Sequence, residues 1–81
     1  MSDPERKTIR GIVIPTEWNE NGHPCSVAIA TYQEQKYLVA ESPQGRQLLA
    51  LLHERVVVSG LIHQKEDNVV IDIGDFYLDS P

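Results

Sequence analysis

From Thr8 the chain alternates: Ile9, Gly11 and Val13 fall on one side, and Arg10, Ile12 and Ile14 on the other. Period two with β-branched residues predicts a strand. Gly11 inside it marks a bend or a close backbone approach, and Pro15 loosens its far end. The stretch TEWNENGHP (16–24) then supplies turn chemistry, with Asn21-Gly22 as its strongest signal. CSVAIATY (25–32) predicts a second strand with Val27 and Ile29 on the core side. QEQ (33–35) is a short polar turn, and KYLVA (36–40) a third strand.

After ESPQG (41–45) the period changes. In RQLLALLHE (46–54) Leu48, Leu49, Leu51 and Leu52 cover a wide apolar arc, which predicts a helix of two to three turns. Ser42 is placed to cap it, with Pro43 at its first position. RVVVSGLIH (55–63) returns to period two, with Val56, Val58, Gly60 and Ile62 in one register. QKEDN (64–68) is a polar loop, and NVVIDIGDFYL (68–78) a fifth strand. Residues 1–7 are expected to form a flexible tail, 8–78 a single domain, and 79–81 a short C-terminal tail.

The predicted order is strand, strand, strand, helix, strand, strand. So few residues cannot cover two sheets, whereas closing five strands into one barrel removes the exposed edges. The expected class is therefore all-β with one short helix, which plugs one end of the barrel. Gly11 and Gly60 suit the sharp coiling that closure demands.

In this order the chain resembles the OB-fold, the five-stranded Greek-key barrel that binds oligonucleotides and oligosaccharides. The resemblance rests on IRGIVI (9–14), GRQLLALLHE (45–54) and VVVSGLI (56–62). More narrowly, the chain is similar to small stand-alone bacterial OB-fold proteins without an assigned activity. The resemblance implies a ligand surface on strands two and three, rimmed by the loops joining strands one to two and four to five. Carried onto this chain, it comprises Tyr32, Lys36 and Tyr37, with Trp18 to Pro24 in one loop and His63 to Asn68 in the other. Trp18, Tyr32, Lys36, Tyr37 and Lys65 are the expected ligand-binding residues.

Charge changes the picture. Seven Lys/Arg against twelve Asp/Glu give a net charge of -5, which disfavours a polyanion, because affinity for nucleic acid comes largely from basic groups displacing counterions. The distribution is uneven. Arg6, Lys7 and Arg10 cluster early, too few for a convincing phosphate patch, while every charged residue after Lys65 is acidic. The single cysteine forms no internal disulfide and suits a reducing, cytoplasmic compartment. The polar N-terminus and short apolar runs give no sign of secretion or membrane insertion.

Candidate chemistry is sparse. His23 and Cys25 stand two apart, but Pro24 lies between them and no helix start follows to activate the thiol. Zinc would need two further ligands, and His53 and His63 stand alone. These residues are read as a hairpin tip, and no metal or cofactor is expected. Trp18 is either a lid on the barrel mouth, the favoured reading, or an exposed platform. Tyr32 and Tyr37 should lie near each other across a hairpin, as a cross-strand pair or a stacking surface. Asp72 and Asp75 fall on opposite faces unless Gly74 bulges the strand, and are expected to be solvated.

The function expected from the sequence is a non-enzymatic binding module, acting through protein or small-polymer contacts on the face of strands two and three. The alternative is a weak single-stranded nucleic-acid binder that stacks bases on Tyr32, Tyr37 and Trp18. The partner is an unknown protein or oligomeric ligand, no membrane is expected, and the chain is expected as a monomer or weak homodimer.

Overall fold

The computed structural model describes residues 5–79, so residues 1–4 of the tail expected at 1–7 and residues 80–81 of the tail expected at 79–81 lie outside the described residues. The elements are β1 (Glu5–Trp18), β2 (Pro24–Thr31), β3 (Lys36–Val39), α1 (Pro43–Gln47), a 3-10 turn (Leu48–Leu51), β4 (Arg55–Lys65) and β5 (Asn68–Leu78). The strands close into a barrel in the order β1-β2-β3-β5-β4. Its neighbours run antiparallel except β3 and β5, which are parallel. This is the expected all-β class, with the helical segment between β3 and β4, and it is consistent with an OB-fold-like barrel.

β1 is long enough to serve two partners. Glu5–Ile12 pairs with β4, and Gly11 onward pairs with β2. Residues 5–7, assigned by pattern to the tail, are therefore strand, because β4 offers them partners as far as Ile62. Where β1 changes partner the backbones crowd. A Cβ on Gly11 would run into the Ala30 carbonyl and lie 2.9 Å from Ile29 Cγ2. Gly60 meets the Asp72 carbonyl in the same way. Both glycines are needed for close approach.

The Val13 N–H donates to the Glu54 carbonyl at 3.1 Å, and the His53 N–H to the Val13 carbonyl at 2.7 Å. Odd-numbered residues of β1 thus point their backbone polar groups toward β4. Pro15 shares that orientation but lies beyond the last β4 pair, so its missing N–H leaves no acceptor unmet.

The same two hydrogen bonds explain why the helix is shorter than predicted. Ser42 Oγ caps it by accepting from the Gly45 N–H at 3.0 Å, and Pro43 opens it, as expected. After Gln47 the coil tightens to a 3-10 turn, and His53, at φ 68°, is drawn to β1. Leu48 is fully buried, with Leu49, Leu51 and Leu52 packed against the core at this end of the barrel.

The core is filled by alternate residues. Ile9 and Val13, Val27 and Ile29, Val56 and Val58, and Ile71 and Ile73 all point inward. In β5 the register moves from Ser59↔Asp75 to Gly60↔Ile73, leaving Gly74 as an unpaired bulge. Asp72 and Asp75 are consequently both exposed rather than split between faces. No helix among the described residues is long and apolar enough to cross a membrane.

Candidate functional site

The outer face of β1, β2 and β3 breaks the alternation of a solvated surface. Register places Ile12 beside Ala30 and Ala30 beside Lys36, and in the next row Ile14 beside Ala28 and Ala28 beside Leu38. Ile12, Ile14, Ala30 and Leu38 are half-buried and lie outside the core cluster. Ala28 is fully buried between the larger Ile14 and Leu38. An aliphatic patch results, its centre made of two alanines. The outward positions from Arg6 to Ile14, with Ala28, Ala30, Lys36 and Leu38, include no carboxylate, in a chain with twelve.

The residues expected to bind ligand are dispersed around this patch. Tyr32 stands in the β2–β3 turn at 65% exposure. Tyr37 pairs with Ile29, shares its inward direction, and is 3% exposed within the core. The two tyrosines therefore form neither the expected pair nor a joint stacking surface. Period two along β3 requires this, because the register that turns Lys36 and Leu38 outward turns Tyr37 inward. Trp18, paired with Pro24, is 57% exposed, so the lid reading is replaced by an open ring at the rim.

Lys36 and Lys65 lie at the same end of the barrel, with β5 between them. Lys65 pairs with Asn68, and Tyr37 pairs with Val69, so the two lysines flank the start of β5. Arg46 lies elsewhere, on α1, with its guanidinium 3.1 Å from Glu41. Glu34, Glu66 and Asp67 lie in the turns beside the two lysines and offset their charge.

The hairpin tip is built by Asn19. Its Oδ1 accepts from the Asn21 N–H at 2.9 Å and the His23 N–H at 3.0 Å, and its own N–H donates to the His23 carbonyl at 2.9 Å. This closes NENGH as a compact turn. Cys25 is exposed and borders an open groove of about 500 Å³ between β2 and α1, where Val27, Val39 and Leu49 supply apolar walls. Among the described residues no three His, Cys, Asp or Glu side chains gather to hold a metal ion. Compared with known protein families and curated proteins, the sequence matches none.

The patch itself was missed at sequence level, although its signal was present. Ile12 and Ile14 occupy the second register of the first strand, and a strand apolar on both sides is one whose outer face is also covered.

Proposed function

We propose that this protein is a non-enzymatic binding module that takes a partner protein on the outer face of β1, β2 and β3. The observation that carries the reading is the pair of apolar rows, Ile12–Ala30 and Ile14–Ala28–Leu38, at positions where a monomeric barrel places polar groups. Aliphatic side chains around a centre of small alanines suit another apolar surface, and the cation Lys36 belongs to a polar rim. Base stacking needs open rings. Here Tyr37 is withdrawn, leaving Tyr32 beside the patch and Trp18 at its rim.

The test compares protein capture by the wild type and an Ile12→Glu/Leu38→Glu variant, with Asp75→Lys, opposite Ser59 on the β4 side of the barrel, as control. The reading expects a defined protein that the wild type and the control retain, that the double variant loses, and that nuclease treatment leaves in place. Capture that depends on nucleic acid, or survives in the double variant, would overturn it.

A further inference from the structure

Among the described residues, the N-terminal half of β1 has a free edge. Glu5 to Arg10 pair with β4 on one side, and β2 joins the other side only from Gly11. The β4 register runs without a shift from Glu5 to Ile12. Because odd-numbered residues direct their backbone groups to β4, those of Arg6, Thr8 and Arg10 project from the open side. The side chains of all three, and of Lys7, are exposed. Such a row of unpaired N–H and C=O groups is a template for another extended chain.

Charge decides which chain. The edge sequence ERKTIR, residues 5–10, holds three cations against the single carboxylate of Glu5. Asp79 engages Arg10, whereas no carboxylate of residues 6–79 lies within 4.0 Å of Arg6 or Lys7. Arg6 lies toward Gly74 of β5, and Lys7 holds its Nζ 5.9 Å from the centre of the Tyr37 ring. A second copy is a poor occupant. Two-fold antiparallel pairing centred on Thr8 would set Arg6 opposite the other copy's Arg10, and like charges directly opposite repel. The same cations attract an acidic strand.

We propose that the Glu5–Arg10 edge of β1 accepts an extended acidic segment of a partner protein as an added strand. This site adjoins the Ile12–Leu38 patch along β1 but uses the open backbone edge rather than the apolar side chains, and does not depend on the patch.

The experiment is an amide-resolved NMR titration of the full chain with a synthetic hexapeptide alternating glutamate and valine. Its controls are the lysine–valine analogue and a glutamate–valine peptide N-methylated at alternate positions. The expected result is perturbation of the Arg6, Thr8 and Arg10 amides by the first peptide, with at least tenfold weaker binding of both controls. Thr8→Pro removes an outward N–H that the β4 ladder does not use, so the barrel should persist while binding falls at least tenfold. Arg6→Glu/Lys7→Glu should weaken it similarly. Absence of perturbation at millimolar peptide would overturn the proposal. So would equal binding of either control, or undiminished binding to Thr8→Pro. Shifts confined to the Ile12–Leu38 patch would overturn it while favouring that face. Concentration-dependent shifts at the same amides without peptide would assign the edge to a second copy and overturn it too.

Discussion

Arg10 and Asp79 tie the first strand to the end of the last across β4, with Arg10 Nε 3.2 Å from Asp79 Oδ2. Val57 lies between Arg10 and Tyr77 in that register and is only 3% exposed although it faces outward. The pair therefore closes over an apolar residue of the outer surface. Asp79→Asn should lower stability by about 0.5 kcal/mol, as for a partly solvated ion pair. Urea melts of wild type and variant should converge at about 1 M salt, where screening acts within a few ångströms; a salt-independent difference would assign the effect to packing.

The core prediction concerns Val58, which is fully buried in β4. Val58→Asp places an unpaired charge inside a small barrel, and the loss should exceed about 4 kcal/mol. Circular dichroism should show no cooperative thermal transition. A melt close to wild type would contradict the inward register of β4.

The two close-approach glycines give a second stability test. Gly11→Ala and Gly60→Ala each push a methyl group against a carbonyl of the neighbouring strand, at Ala30 and Asp72. Each should destabilise by roughly 1–3 kcal/mol. Chemical denaturation would measure this, and a neutral effect would mean that the strands can move apart there.

At the hairpin tip the weight rests on Asn19 rather than on His23 or Cys25. Asn19→Ala removes the acceptor of two backbone donors and should destabilise by about 1 kcal/mol. Cys25→Ser and His23→Ala, at exposed positions, should stay within about 0.5 kcal/mol of wild type. The opposite ranking would restore a structural or chemical role to the cysteine–histidine pair.

Oligonucleotide binding is predicted to be absent or weak at physiological salt. With Lys36 and Lys65 as the nearby cations, few counterions would be released, and stacking on Tyr32 supplies only about 1–3 kcal/mol per base. A tryptophan-fluorescence titration should show no saturable change, or a weak one that Tyr32→Ala removes. Tight, steeply salt-dependent binding would contradict this. Tyr37→Ala is no test of binding, because it cuts a cavity in the core.

Period two in IRGIVI, VVVSGLI and NVVIDI, the capped start at Ser42-Pro43 and the turn at Asn21-Gly22 were sufficient to predict the order of elements along the chain, the inward direction of Val27, Ile29 and Val58, and closure around a short helical plug. These are local patterns, and hydrophobic alternation acts wherever a strand has one side to bury. Cross-strand register and relief from local geometry were decided only in three dimensions. Register set Tyr37 beside the inward Ile29, gathered Ile12, Ile14, Ala30 and Leu38 into one patch, and left Glu5–Arg10 with an open edge among the described residues. The bulge at Gly74 put Asp72 and Asp75 on the exposed side, and the pull of Val13 on His53 ended the helix early. A side chain's direction follows from its own strand, but its neighbours follow from which strand lies alongside, and pairings between distant segments leave no period in the sequence.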